Sequence, residues 1–357
     1  MIRSLYNMRW LCLLMVTAIV FPLGAQQMRP TRQQPEDKVA MTLNAMRERY
    51  VDTLDVHLMA ERIILATVDS LDPHSEYILP YIFGDATVPD AAPSATTAEQ
   101  ELTAGPSILD FSNGIDSVFM ADKQVGCVRI GMFTHTTTQA FLQALDSLRH
   151  CGMRHLVLDL LGNPGGYFES AVELADQFLS RGQSIVHIAG AHIPSETQVA
   201  QQDGAYEEGR LAILISHRTM SAAEIFCGAL QDWDRAVLVG QRTFGKGLIQ
   251  ETMPFKDGTQ LRYSVAAYKT PCGRSIQRPW RGISKEQYFQ GPDASLEHAD
   301  GSYGTNAPAY RSLLTGRTLY GNGGIAADLP VAPDEALSAA VALLKDNKRY
   351  KALLHLK

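Results

Sequence analysis

Strand and helix patterns alternate regularly between residues 125 and 240. Apolar strand patterns recur at 125–133, 156–161, 184–190, 211–216 and 235–240. Helical patterns at 138–148, 167–179 and 221–230 separate several of them. Repeated β-α-β units predict a mostly parallel sheet with right-handed crossovers. We therefore expect the α/β fold class, in a chain of 357 residues that has room for one large or two ordinary domains.

The segments on either side of this core predict the domain organisation. Apolar residues at helical spacing over 38–70 predict a helical hairpin. It ends at the turn sequence LDPHSEY (71–77), and we interpret His74 there as a turn or capping residue. The predicted divisions are a signal peptide (1–25), an N-terminal helical segment (26–83), a flexible linker (84–107) and a catalytic domain (108–357). Within that domain we expect a hairpin strand over 261–270, an irregular excursion over 281–308 and one amphipathic C-terminal helix over 334–355.

The N-terminus has the features of a secretory signal peptide. Arg3 and Arg9 precede an apolar run over 10–23, and the small residues Gly24 and Ala25 follow it. We expect cleavage after residue 25, export to the periplasm and no membrane span after cleavage. The alternative is that the segment stays uncleaved and anchors the protein.

Charge and cysteine content exclude several functional classes. The net charge is −6 and no basic stripe occurs, which excludes a nucleic-acid partner. The cysteines after the leader have neither metal-ligand nor disulfide-scaffold spacing, so we predict no metal and no cofactor. We expect these cysteines to be free thiols, and the alternative is one of three complete disulfide pairings. They are Cys127, Cys151, Cys227 and Cys272. On its apolar helical pattern Cys227 is predicted to be a core residue.

Ser221, Lys246 and Gln250 occur in the order that a Ser-Lys hydrolase requires. A serine hydroxyl becomes a good nucleophile when a base takes its proton, and a lysine acts as that base only if its pKa is depressed. Lys246 has apolar and glycine neighbours, and the nearest charged residue in sequence is Arg242, so we expect a desolvated pocket. The alternative is a surface lysine in a glycine-rich loop.

Two backbone turns are candidates for an oxyanion hole. Ser221 follows a buried strand and begins a helix, so one interpretation is that it caps this helix. The other is that the N–H of Ala222, at the same helix start, donates to a developing oxyanion. The turn GNPGG (162–166) follows another buried strand, and its N–H groups carry no side chain in front of them. Such a turn also serves as a phosphate cradle or a plain connector. Lys246 and Gln250 would lie roughly 13 Å apart in an extended strand, so their contact requires a turn or a helical curl.

Several motifs together resemble the C-terminal processing, or tail-specific, serine peptidases. They are LDLLGNPGG, TMSAAEIFCGALQD and TFGKGLIQ, with LDPHSEY upstream and AAYKTPCGRSIQ and GRTLYGNGGIAAD downstream, all in the same order as in that family. The resemblance implies a crotonase-like catalytic core of β-β-α units. It also implies that Ser221 is the nucleophile, Lys246 the general base and Gln250 the residue that orients the lysine.

The resemblance further implies that the oxyanion donors are the N–H groups of Ala222 and Gly166, with Gly165 as the alternative. The chain departs from the family pattern in three places. About 30 residues separate Tyr81 from GIDSVFM, where relatives usually carry a PDZ domain, and such a domain does not fit there. The serine motif, commonly SASASE, is TMSAAE, and Leu161 stands where an arginine is often found before the NPGG turn.

These features predict an exported serine endopeptidase that acts on protein or peptide substrates, near their C-termini. A homo-oligomer and a regulatory partner both stay open, as does an adaptor in place of the PDZ domain. The alternative is a catalytically weak scaffold or regulatory binding protein with the same fold. An acyl-CoA enzyme that uses the same oxyanion turn is disfavoured, because an exported protein would not meet that thioester.

Overall fold

The computed structural model describes residues 34–80, 113–298, 301–305 and 307–356. The predicted signal peptide and the predicted linker at 84–107 lie outside these residues. The chain divides into two compact units, Met1–Ile64 and Leu65–Lys357. The LDPHSEY segment therefore belongs to the same unit as Ser221, Lys246 and the GNPGG turn.

Helices lie in the N-terminal part, between strands of the core and at the C-terminal end. They are α1 (Pro35–Arg49), α2 (Val56–Asp69), α3 (Thr137–His150), α4 (Phe168–Asp176), α5 (Ala222–Asp232), α6 (Lys285–Phe289), α7 (Ala336–Lys345) and α8 (Asn347–Leu353). The first two occupy the stretch where the sequence predicts a helical hairpin. Over the described part of the chain, no helix combines the length and the apolar character needed to cross a bilayer.

The described residues contain thirteen strands, β1 to β13, in three sheets. In chain order they are Glu76–Ile78, Ile115–Asp122, Val125–Ile130, His155–Asp159, Ser184–Ala189, Glu196–Val199, Leu211–Ile215, Val237–Gly240, Leu248–Pro254, Gln260–Lys269, Ala309–Arg311, Thr318–Tyr320 and Leu329–Pro330. The short strands β11 and β12 form a separate two-stranded sheet.

The central sheet has six strands in the order β13-β8-β7-β4-β3-β2. Five of them run parallel, and β2 pairs antiparallel with β3 at one edge. One face packs against α3, α4 and α5, and the other packs against α7 and α8. Burial on both faces explains why β7 is apolar at every position. The predicted α/β class and parallel sheet are confirmed.

The second sheet is antiparallel, with the order β1-β10-β5-β6 and with β9 also paired to β10. The hairpin formed by β9 and β10 turns at Asp257 and Gly258, as the sequence predicts. The segment 184–190, however, does not extend the parallel sheet: it forms β5, which pairs antiparallel with β6 and β10. A short apolar run fits either sheet, so its pattern could not distinguish them.

The predicted single helix over 334–355 is wrong, because the chain breaks it into α7 and α8. Asp346 lies between them with non-helical backbone angles, φ −99° and ψ 90°. Its carboxylate accepts the N–H of Arg349 at 3.0 Å and so caps the start of α8. A capping aspartate in an otherwise apolar periodic stretch is the local signal for this break.

Candidate active site

Ser221 lies in the turn that joins β7 to α5, on the N-cap position of the helix. Its backbone has φ 58° and ψ −122°, a region that non-glycine residues rarely occupy. Such strain costs about 1–3 kcal/mol and is found where the surrounding structure enforces it, often at active sites. A strained strand-to-helix turn that carries a serine is the geometry of hydrolase nucleophiles.

Glu224, one turn into α5, connects this serine to the loop that carries Lys246. One carboxylate oxygen accepts the N–H of Ser221 at 3.0 Å and the N–H of Lys246 at 2.8 Å. The other accepts the N–H of Gly245 at 2.7 Å and the hydroxyl of Thr243 at 2.5 Å. Sequence reasoning assigned Glu224 no role, although the S-x-x-E spacing of a capping box was visible.

Burial is complete at Glu224 and dominates its electrostatics. Desolvation raises the pKa of this carboxyl from 4.5 to about 7, against the opposing effect of its four hydrogen bonds. The group therefore titrates close to neutral pH. Its ionised form is the one that can accept all four donors, because a protonated carboxyl must itself donate one hydrogen bond.

A second buried group joins the same two residues through their carbonyl oxygens. The Tyr268 hydroxyl, on β10, lies 3.0 Å from the carbonyl oxygen of Ser221 and 2.7 Å from that of Lys246. Tyr268 is 1% exposed. The backbones of Ser221 and Lys246 are thus held between Glu224 and Tyr268, and this arrangement was not foreseen from the sequence.

The GNPGG turn follows β4 and lies directly against the Ser221 turn. A Cβ atom added to Gly165 would lie 2.9 Å from the Cβ of Ser221 and 3.0 Å from the nitrogen of Ala222. The carbonyl of Asn163 accepts the N–H of Met220 at 3.0 Å, which also joins the two turns. The structure therefore brings together the two turns that the sequence proposes as an oxyanion hole.

The N–H groups of the turn differ in whether they already donate a hydrogen bond within the protein. The N–H of Gly165 donates to the side-chain oxygen of Asn163 at 2.8 Å. Among the described residues, no acceptor is recorded for the N–H of Gly166 or of Ala222. A Cβ on Gly166 would lie 2.1 Å from the carbonyl oxygen of Phe133, so only glycine fits. Of the two alternatives at this turn, the hydrogen bonds favour Gly166.

Lys246 and Gln250 line one small cavity. Lys246 precedes β9, whereas Gln250 lies within it and pairs with Ser264 of β10. The cavity is also lined by Pro73, His74, Glu76, Arg262, Lys285 and Phe289. The Nε2 atom of Gln250 donates to the carbonyl oxygen of His74 at 2.6 Å. Charged residues from distant segments therefore face Lys246, which its uncharged sequence neighbours did not predict.

His74 lies in the predicted turn, but its imidazole ring is buried. Nε2 lies 3.0 Å from the hydroxyl of Tyr288, and the ring makes edge contacts with Phe244, Tyr288 and Phe289. Burial lowers the pKa of His74 well below 6.5. The ring is therefore neutral near neutral pH.

Thr219 and Leu161 stand at two of the positions where the chain departs from the family pattern, and the structure shows what each of them contacts. The hydroxyl of Thr219 donates to the carbonyl of Leu160 at 2.7 Å and accepts the N–H of Ser216 at 3.0 Å, which supports the approach to Ser221. Leu161 is partly buried and packs on the core cluster under α7 and α8. Position 161 thus contributes packing in this chain, where an arginine would present charge.

The cysteines take no part in this arrangement. All four are free, and Cys227 lies in the core on α5, as predicted. Burial raises the pKa of Cys227 well above its usual value, so its thiol stays protonated and unreactive. Within the described ranges, no group of three histidine, cysteine or acidic side chains could hold a metal ion.

Comparison with known proteins finds similarity to one peptidase family. Residues 124–287 match peptidase family S41. The carboxy-terminal processing protease CtpA of Bacillus subtilis (strain 168) is 31% identical over 203 residues, which are 55% of this chain and 43% of that protein. The chloroplastic C-terminal processing peptidase of Tetradesmus obliquus is 34% identical over 195 residues, which are 52% and 42% of the two chains.

Among solved structures, the photosystem II D1 C-terminal processing protease matches with a TM-score of 0.45 and 28% identity, over 64% of this chain and 48% of that chain. The chain spans less than half of the length of the curated relatives that it matches. The matched segment contains Ser221, Lys246, Gln250 and the GNPGG turn, and it begins after the LDPHSEY segment. The central part of the chain, residues 124–287, is therefore similar to peptidase family S41, and the chain is similar to C-terminal processing proteases, as the sequence motifs predict.

Proposed function

We propose that this chain is an exported serine endopeptidase that cleaves protein substrates, near their C-termini, with Ser221 as nucleophile and Lys246 as general base. The observation that carries the proposal is the carboxylate of Glu224, which accepts the N–H groups of both residues. Because that carboxylate is fully buried, it fixes the serine turn and the lysine loop beside each other. The match of residues 124–287 to peptidase family S41 supports the same reaction class.

In the proposed acylation step, the Ser221 oxygen attacks the carbonyl carbon of the scissile peptide bond. Its proton passes to the neutral amine of Lys246. The carbonyl oxygen becomes an oxyanion, which accepts hydrogen bonds from the N–H groups of Ala222 and Gly166. When the tetrahedral intermediate collapses, the C–N bond breaks and Lys246 returns the proton to the leaving amine.

Deacylation repeats these steps with water as the nucleophile. Lys246 removes a proton from water as the water attacks the acyl-serine ester, and the same two N–H groups stabilise the second oxyanion. Collapse of this intermediate breaks the ester bond and returns the proton to Ser221. The products are a new C-terminal carboxylate and the regenerated enzyme.

The mechanism needs an uncharged Lys246. Arg262 and Lys285 line the same cavity and disfavour a further positive charge, whereas the carboxylate of Glu76, 3.8 Å from Arg262, opposes this effect. Gln250 shares the cavity and can accept a hydrogen bond from the lysine amine without adding charge. We assign Gln250 the role of orienting this amine.

The experiment that tests the proposal measures cleavage of an unfolded protein substrate by the parent and by Ser221→Ala and Lys246→Ala. We expect each substitution to reduce kcat/KM about a thousandfold or more. Ser338→Ala and Lys348→Ala change exposed residues and serve as matched controls that should cleave at the parent rate. Cleavage by Ser221→Ala at the parent rate would overturn the assignment.

A serine-directed fluorophosphonate probe separates this proposal from a scaffold or regulatory protein of the same fold. The absence of a predicted PDZ domain and the leucine at position 161 motivate that alternative. An activated Ser221 should be labelled in the parent and not in Ser221→Ala or Lys246→Ala. A parent protein that resists the probe while folded would favour the scaffold.

We also propose a crotonase-like core and export to the periplasm. The first is supported by the mixed α/β fold and by the family's motifs, and the second by the sequence of residues 1–25. N-terminal sequencing of the protein recovered from a periplasmic fraction tests export. A chain that begins after residue 25 supports cleavage, whereas a membrane-bound chain with its leader intact supports the anchor.

A further inference from the structure

The segment Asp72–Glu76 reaches the candidate site although it precedes the family-matched residues 124–287. Pro73, His74 and Glu76 line the cavity that also contains Lys246 and Gln250. The mechanism proposed above uses none of these upstream residues. Their position therefore calls for a role that the Ser221, Lys246 and Gln250 set does not supply.

Asp72 fixes the shape of this segment. Its Oδ1 atom accepts the N–H groups of His74 at 2.9 Å and Ser75 at 3.0 Å, and its Oδ2 atom accepts the hydroxyl of Ser75 at 2.6 Å. The hydroxyl of Ser75 in turn accepts the N–H of Ser264 at 3.3 Å, beside the bulge in β10. Ser75 is fully buried. The turn is therefore tied to the strand next to Gln250.

The turn presents the carbonyl oxygen of His74 to Gln250. This oxygen accepts a hydrogen bond from Nε2 of Gln250 at 2.6 Å. A carbonyl oxygen only accepts, so the NH2 group of the amide must face it. The Oε1 atom is then directed away from His74, and it is the only acceptor that the Gln250 side chain can offer to the amine of Lys246. Without the carbonyl, the amide could rotate and present its NH2 group instead.

The ring of His74 anchors the same carbonyl without adding charge. It contacts Phe244, which lies two residues before Lys246, as well as Tyr288 and Phe289. Its burial keeps the imidazole neutral, so it does not add a positive charge beside the lysine. Ring and carbonyl together connect the upstream segment to both ends of the stretch from Phe244 to Gln250.

We propose that the Asp72–Ser75 turn is a positioning element of the catalytic site, which orients the Gln250 amide through the His74 carbonyl and thereby orients the Lys246 amine. This inference rests on the proposed Ser221 and Lys246 mechanism. Asp72 and Ser75 act through Gln250 and do not touch the substrate. Loss of the turn should therefore impair proton transfer more than substrate binding.

The main test compares Asp72→Ala with the parent. We expect kcat to fall about 10- to 100-fold with KM nearly unchanged, because a misplaced catalytic group costs about this much. The acid limb of the kcat profile should move to lower pH, because an amide that turns its NH2 group toward Lys246 in place of Oε1 disfavours the charged amine. Asp72→Asn keeps an oxygen for the two N–H groups and should restore kcat to within about threefold. Asp257→Ala is the control, because Asp257 accepts hydrogen bonds from Thr259 in a similar turn at the far end of the β9-β10 hairpin. This variant should leave kcat and its pH profile unchanged.

A double-variant cycle tests whether the effect passes through Gln250. Once Gln250→Leu has removed the amide, adding Asp72→Ala should cause little further loss of kcat. If Asp72→Ala fails to fold, Ser75→Ala is a milder variant that removes only the hydroxyl contacts. The loss of kcat that it causes should likewise disappear in the Gln250→Leu background. Additive losses, or an unshifted pH profile in folded Asp72→Ala, would overturn the inference. If Ser221→Ala still cleaves, the proposed function fails; if only the Asp72 variants behave as the parent, the positioning role alone fails.

Discussion

The carboxylate of Glu224 accepts the backbone N–H of Lys246 at 2.8 Å, across 22 residues of sequence. The same oxygen accepts the N–H of Ser221, the residue that precedes α5. The helix that begins beside the candidate nucleophile therefore also fixes the loop of the candidate base. A change at Glu224 should affect stability and catalysis together, although its side chain takes no part in the proposed chemistry.

Glu224→Gln should lower both the stability and the activity of the protein. An amide NH2 group in place of either carboxylate oxygen would face two donors, so at least one backbone N–H loses its acceptor in the buried site. We expect a loss of about 2–4 kcal/mol in the free energy of unfolding and about a 100-fold fall in kcat. Denaturant titration and steady-state kinetics measure the two effects. The matched control is Glu251→Gln, at an exposed position of β9, and a Glu224→Gln protein as active as that control would contradict the prediction.

The buried carboxyl of Glu224 should also make stability depend on pH. Burial raises its pKa to about 7, whereas the unfolded group titrates near 4.5. Between these two values the folded protein holds the extra proton, so this contribution to stability is complete below about pH 4.5 and is lost as the pH rises through about 7. The free energy of unfolding of the parent, minus that of Glu224→Gln, should fall over this interval and level off above it. The subtraction cancels the opposite contribution of His74, whose lowered pKa removes stability as the medium becomes acidic. A difference that grows between pH 5 and 7 would refute the prediction.

Gly165→Ala should impair catalysis through direct crowding of the serine turn. The new Cβ would lie 2.9 Å from the Cβ of Ser221 and 3.0 Å from the nitrogen of Ala222, where an oxyanion is proposed to bind. We expect kcat to fall about 100-fold or more. Gly162→Ala is the control, because it introduces a Cβ at a comparable φ of +79° with no other atom within 4 Å. That variant should cost about 1–2 kcal/mol of stability and retain the parent kcat. Equal kcat values in the two variants would argue against an oxyanion site at this turn.

Local signals predicted much of the fold and the site. The apolar runs and their spacing gave β7, the turn at Ser221 and α5, and the Asp257-Gly258 pair gave the β9-β10 hairpin, because periodicity and turn chemistry act over a few residues. They could not give the pairing of β5, since a short apolar run fits either sheet.

Local sequence patterns could not predict the surroundings of Lys246. Its nearest sequence neighbours are uncharged, which predicted a desolvated pocket, and Glu76, Arg262 and Lys285 line the same cavity from other segments. The capping spacing of Ser221 and Glu224 was visible, but a capping box explains only the start of a helix. The bonds from Glu224 to Gly245 and Lys246 depend on how two distant segments pack, and no local pattern encodes that.

Tyr268→Phe should separate the positioning of the serine and lysine backbones from the packing of the core. The substitution keeps the ring, which is 1% exposed, and removes the hydroxyl that lies within 3.0 Å of the carbonyls of Ser221 and Lys246. Those two carbonyls would lose a donor in a buried site, so we expect a loss of about 1–2 kcal/mol in the free energy of unfolding. Because the hydroxyl bridges the two backbones, kcat should fall about tenfold while KM changes little. Tyr263→Phe, on the same strand at a partly exposed position, should leave both quantities near the parent values. If Tyr268→Phe lost stability but kept the parent kcat, the hydroxyl would serve folding alone, and Glu224 would be sufficient to hold the two residues in place.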